Sequence, residues 1–332
     1  MTERVRVAGS AAHAGERFGS LATIGLGCAA VQAVVTGHYL QVAWSMNAPV
    51  PIAWWSVAVV AGLVGVPLIL VHFGRQAERL VAMPWLVLLR VWVLPALAAH
   101  LLWLGACLLV LRRLDDRLAG VPLAGRRDLL AMLLNPAPGF ALLLALALFP
   151  VLAKLTRALP AALPIGGLCA AAVVAGPAPL LVFLLVGLRL CGGDVTARPS
   201  RTGIAGRAAV ALIGIAVIGV DSVPDRLGVL IAGLAVLPLG LALAGPARSR
   251  VPAATGPAVL VGYLILTPAV ALTNKVALAR LSALPSAAQL AAAVAEPLVW
   301  TAAVLVAAIA LAAAGRRIAA VVFAGAARCD AE

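Results

Sequence analysis

The chain is 332 residues long, 64% hydrophobic and only 11% charged, yet it carries a formal net charge of +13. Such a balance excludes an ordinary soluble domain, whose outer face would need far more polar side chains. It also excludes nucleic acid as the partner behind the charge: the 25 Lys and Arg fall mainly in short runs between apolar segments, with no basic stripe and interleaved aromatics.

A short polar segment, 1–17, has a basic start but no apolar core followed by a cleavage site, so no cleaved signal is expected. From Phe18 to Gly74 there is no Asp, Glu, Lys or Arg. The one interruption, Asn47-Ala48-Pro49-Val50-Pro51, predicts a tight turn between two membrane spans lying within 18–45 and 51–73. A third span is expected between Arg90 and Arg112. The stretch Leu80–Leu89 before it is too short to cross and reads as an interfacial helix or an extension. Further apolar runs predict spans at Leu129–Ala153, Ala158–Leu188, Ile204–Val220, Leu227–Ala247 and Val251–Asn274. The last run, Leu281–Gly315, is interrupted by Glu296-Pro297 and crosses once or as a cramped pair.

The expected architecture is therefore an all-α polytopic membrane bundle of about nine spans, with eight to ten allowed, forming a single transmembrane domain over 1–332. Residues 18–117 make a first part containing six of the seven tryptophans and three of the four histidines; 128–327 make an Ala/Leu/Gly-rich remainder. Small residues let helix backbones approach where lipid supplies no hydrophobic drive between them. Counting Lys and Arg in the loops favours ten spans with both termini inside, or nine with the N-terminus outside, by a small margin. Arg far exceeds Lys, a composition common in GC-rich genomes, which points to the plasma (inner) membrane of a bacterium.

Two kinds of residue stand out as candidate site groups. Prolines inside apolar runs remove a backbone donor and expose the carbonyl four residues back, which must find a partner in lipid. Asn135-Pro136-Ala137-Pro138-Gly139 does this in the expected fourth span, Gly176-Pro177-Ala178-Pro179 in the fifth and Thr267-Pro268 in the eighth. Solute carriers place their sites at such discontinuous helices. Ionisable groups inside apolar runs are costly and mark pathways. His100 falls in the middle of the third span, Glu296 within the last run and Lys275 at the end of the eighth. The candidate binding or translocation set is thus His100, Asn135, Pro136, Gly139, Gly176, Pro177, Lys275 and Glu296. Arg90, His72 and Asp221 are expected at span ends, where side chains reach the headgroups.

Other motifs carry less. Asp115-Asp116 is flanked by arginines and lacks the further carboxylates of a diphosphate site, so it reads as a salt-bridged loop between spans. Cys191-Gly192-Gly193-Asp194 lacks the first glycine and the partner aspartate of an intramembrane aspartyl peptidase. The five cysteines stand alone and read as buried small hydrophobes, and no metal or cofactor is implied. Trp44, Trp54 and Trp55 bracket the first turn, as interfacial anchors or as a surface for a protein partner; membrane lipids are the other expected partner. The leading functional expectation is a permease-type transporter of a small or amphipathic solute. Its rivals are a non-catalytic membrane subunit docking through the Trp-rich third and a membrane enzyme using Asp115-Asp116 on a lipid-linked substrate.

Overall fold

The computed structural model describes residues 20–39, 52–111, 141–190, 201–220, 223–247, 258–266 and 268–270, with shorter stretches between 280 and 310. Among the described residues every regular element is helical and there is no strand. In chain order these are α1 (Ser20–Gly37), α2 (Ile52–Gln76), α3 (Glu78–Ala82), α4 (Trp85–Leu88), α5 (Leu94–Leu111), α6 (Leu142–Leu155), α7 (Ala162–Ala171), α8 (Ala178–Leu190), α9 (Arg201–Ala216) and α10 (Asp225–Ala247).

Among the described residues four helical runs are long and apolar enough to cross a membrane: Ser20–Gly37, Ala53–Gln76, Trp85–Ala106 and Asp225–Ala244. The apolar helices Leu142–Leu155, Ala162–Ala171, Ala178–Arg189 and Thr202–Ala216 are shorter. The expected nine spans are thus not reached among the described residues. One reason is that much of the fourth, eighth and last apolar runs lies outside them; another is that the fifth is broken. Outward faces are apolar: Leu94, Leu101 and Leu102 on α5 and Leu212 and Ile213 on α9 are all exposed, Leu102 at 76%. Water would penalise so continuous an apolar surface, and hydrocarbon accepts it.

α4 and α5 form one rod through a π-helical segment, Leu89–Val93, in which the Leu94 N–H reaches back five residues to the Leu89 carbonyl. Pro95 follows directly and has no N–H to give, so the wide turn sits where the regular ladder must already fail. The rod starts at Trp85, before Arg90, which is an exposed residue within it. The stretch before Arg90 therefore divides: α3 stands apart and Trp85–Leu89 extends the span.

α2 is the shaft on which α1, α8 and α10 dock, and glycines set the docking points. A Cβ on Gly65 would lie 2.7 Å from the Ala29 nitrogen and 2.8 Å from the Gly25 carbonyl oxygen, so α1 crosses α2 backbone to backbone. Further along, a Cβ on Gly74 would overlap the Leu184 carbonyl oxygen, and one on Gly187 would overlap that of Val71, marking the α2–α8 crossing. α10 meets α2 where Gly240 faces Val64, at 3.0 Å from a would-be Cβ. α8 is buried on all sides from Leu180 to Gly187, as a helix at the centre of a bundle must be. The core around it draws Leu68 from α2, Leu142 and Phe149 from α6 and Leu230 from α10.

Candidate functional site

The fifth apolar run does not continue through as one helix. It breaks between Ala171 and Ala178, at the Gly176-Pro177 position flagged by the sequence. The Ala175 N–H still closes a turn onto the Ala171 carbonyl at 2.8 Å, and α8 then starts afresh with Leu181 N–H to Pro177 O at 3.1 Å. Pro177 and Pro179 thus sit at the start of α8, where a missing N–H costs nothing and the fixed φ favours helix. They begin a helix rather than kink one. Gly176, Pro177 and Ala178 are buried, so the turn is packed into the core rather than held at the surface.

The two halves, of 10 and 13 residues, rise about 15 and 20 Å, each short of the roughly 30 Å hydrocarbon thickness. Their outer ends meet. Arg189, one residue from the end of α8, donates to the carbonyls of Thr156 at 2.7 Å and of Arg157 and Leu159 at 3.4 Å, all in the link that leads into α7. A guanidinium satisfies several carbonyls at once, and the negative end of α6 adds to the attraction. A segment whose ends touch leaves at the depth at which it came in. The α7–α8 unit is therefore a closed helical hairpin with a buried Gly-Pro tip, not a crossing. Removing the clamp in Arg189→Ala should loosen both ends by about 1.5 kcal/mol, roughly a tenfold rise in amide exchange over 156–159 and 186–190. Hydrogen-exchange mass spectrometry would read this, with α2 unchanged as the internal control.

Two more side chains on the neighbouring elements satisfy backbone carbonyls. Pro150 inside α6 cannot bond the Leu146 carbonyl, and the Trp92 indole N–H from the π-helical segment donates to it instead, at 2.9 Å. The Lys154 ammonium, at the end of α6, bonds the carbonyls of Val81, at 3.3 Å, and of Met83, and lies 5.2 Å from the Trp85 ring centroid. Together they pin the α3–α4 corner to α6 at two heights.

His100 is 2% exposed, on the stripe of α5 that also carries the buried Val93 and Leu104. That stripe is the one turned to the protein, and α5 packs on α6, which in turn packs on α8. His100 and the hairpin tip thus belong to helical units that both pack on α6. His72, expected to reach a headgroup region, is also 2% exposed; its Nε2 lies 3.2 Å from Gln76 Nε2 and its ring stands edge-on to Phe73. It lies one turn from the end of α2, yet it is enclosed by the protein. Trp55, near the start of α2, is 49% exposed, as an interfacial ring should be.

Asn135, Pro136, Gly139, Lys275 and Glu296 lie outside the described residues, as do Trp44, Asp115-Asp116, Cys191–Asp194, Asp221 and Thr267. Of the candidate set the described structure therefore holds His100, Gly176 and Pro177, all buried. No group of three or more His, Cys, Asp or Glu is placed to hold a metal among the described residues. No protein-family model matches the chain, and neither does any curated protein or solved structure. Reading the sequence for interrupted helices found the hairpin tip. It passed over Pro150, whose freed Leu146 carbonyl takes the Trp92 indole as its partner, because a single proline in an apolar run looks ordinary.

Proposed function

We propose that the chain is a multi-pass, permease-type transporter of a small or amphipathic solute in a bacterial plasma membrane, with eight to ten spans over its full length. The observation that carries this reading is the α7–α8 hairpin: two half-length apolar helices with joined ends and a Gly-Pro tip inside the core. Discontinuous helices of this kind are where carriers bring solute against backbone groups, because irregular backbone at membrane depth needs a partner that lipid cannot supply. His100, buried on the helix that packs against α6, is the proposed proton-linked group, since an imidazole changes charge near neutral pH. The backbone around Asn135–Gly139 and Gly176–Pro179 is the proposed solute-coordinating part, with Glu296 as the second proton-linked group and Lys275 in the same candidate set.

Purified protein in liposomes loaded with a pH-sensitive dye is expected to give solute-dependent proton movement for at least one member of a panel of amino acids, sugars and organic cations. In His100→Gln, which keeps the side-chain volume near that of the imidazole, the proton signal should vanish while the protein stays monodisperse. Solute-driven flux that is the same in His100→Gln and in a Gly176→Leu/Pro177→Leu double variant would sink the site assignment. Silence with every solute, combined with a stoichiometric second protein recovered from the native membrane, would instead select the subunit reading. Metal-dependent turnover of a lipid-linked substrate, lost in Asp115→Asn, would select the enzyme.

A further inference from the structure

We infer that the corner formed by the end of α2, α3, the start of α4 and the link after α6 is a binding site for the headgroup of an acidic phospholipid. This stands apart from the transport reading. The corner is held together by hydrogen bonds already described: Lys154 on α6 grips the carbonyls of Val81 and Met83, two and four residues from Arg79, and the Arg157 N–H bonds the Lys154 carbonyl at 3.3 Å. Arg189 closes onto the same link through Thr156, Arg157 and Leu159. Arg75, Arg79, Lys154, Arg157 and Arg189 therefore gather around this junction, and Glu78 is their one acidic neighbour on these described segments.

The division of labour among these cations matters. Lys154 and Arg189 spend their donors on backbone carbonyls, but their charge remains, and it raises the potential felt by any anion nearby. Arg79 and Arg157 are exposed and turned outward, with donors for a phosphate. A soluble anion would need nothing more than this. What points to a lipid is the surface directly beside the charges: Leu155 and Leu159 flank Arg157, and Trp85, Leu86 and Val87 follow α3, all of them exposed. A phosphate held by Arg79 and Arg157 would leave attached acyl chains lying along these side chains, and an exposed tryptophan marks the depth at which headgroup meets hydrocarbon. Charge above and apolar surface below is the complement of a two-chain anionic lipid.

The test is a thermal-stability titration of the full chain in phosphatidylcholine nanodiscs with rising fractions of phosphatidylglycerol. The melting temperature is expected to rise with phosphatidylglycerol and to stay flat with added phosphatidylcholine or inorganic phosphate. Arg79→Gln/Arg157→Gln should weaken the apparent lipid affinity about tenfold, while Arg79→Lys/Arg157→Lys retains most of it, because the surface attraction follows charge. An undiminished response in the Gln pair overturns the site, and a response reproduced by inorganic phosphate alone reassigns it to a free anion and overturns the lipid. Should the Gln pair fail to fold, a photoactivatable phosphatidylglycerol decides on the native chain: labelling at 79–87 and 155–159 supports the inference, and labelling only elsewhere refutes it.

Discussion

Leucine at position 187 is expected to lower stability by about 3 kcal/mol or more, the upper end of overpacking effects. At most core positions an added side chain displaces flexible neighbours. Here the obstacle is main chain: a Cβ on Gly187 would overlap the Val71 carbonyl and stand 2.8 Å from the Val71 Cα, and Gly74 meets the Leu184 carbonyl from the other side. No rotamer relieves such a clash; the helices must separate, and with them the α2–α8 seam that centres the core. Gly105→Leu is the matched control, because nothing lies within 4 Å of a Cβ there and leucine is the better helix former. Unfolding of both variants in detergent micelles, followed by far-UV circular dichroism against temperature, should separate them clearly. Equal midpoints would mean that α2 and α8 do not touch backbone to backbone.

The Trp92→Phe change should cost about 1–2 kcal/mol, since it leaves the Leu146 carbonyl buried without a donor. Its cause can be isolated. In Pro150→Ala the restored N–H lies four residues after Leu146 and can take that carbonyl back into the helical ladder. Trp92→Phe should then cost markedly less in the Pro150→Ala background than in the parent, whereas loss of ring size is common to both. A double-mutant cycle measured by chemical unfolding reads the difference directly. Equal costs in the two backgrounds would show that the indole does not serve the proline-freed carbonyl.

What the sequence made legible is what lipid dictates locally. The second and seventh apolar runs, expected at 51–73 and 227–247, are the helices Ile52–Gln76 and Asp225–Ala247, because uncharged stretches of that length have one economical structure in hydrocarbon. The fifth run was readable as interrupted, since Gly176-Pro177 cannot extend a helix. Its return was not readable, because it depends on Arg189 reaching carbonyls some thirty residues earlier. The Trp92–Leu146 pairing spans 54 residues and depends on which face of the π-helical segment meets α6. His72 illustrates the same point on a single side chain: its distance from the end of α2 was evident, but its enclosure depends on how the bundle packs around that face. Of the candidate site residues, the described structure places His100 and the Gly176-Pro177 tip, and both are buried.

The glycine seam on α2 has a consequence for how the chain is made. Gly65 can receive α1 at once, but the groove at Gly74 is complete only when Gly187, about a hundred residues downstream, leaves the ribosome, about five to twenty seconds later at ordinary rates of synthesis. Throughout that interval the notch on the half-built shaft faces lipid, or whatever insertion factor shelters it. Biogenesis of this protein should therefore be more sensitive to changes at Gly74 than to changes at Gly65, even where the finished folds are equally disturbed.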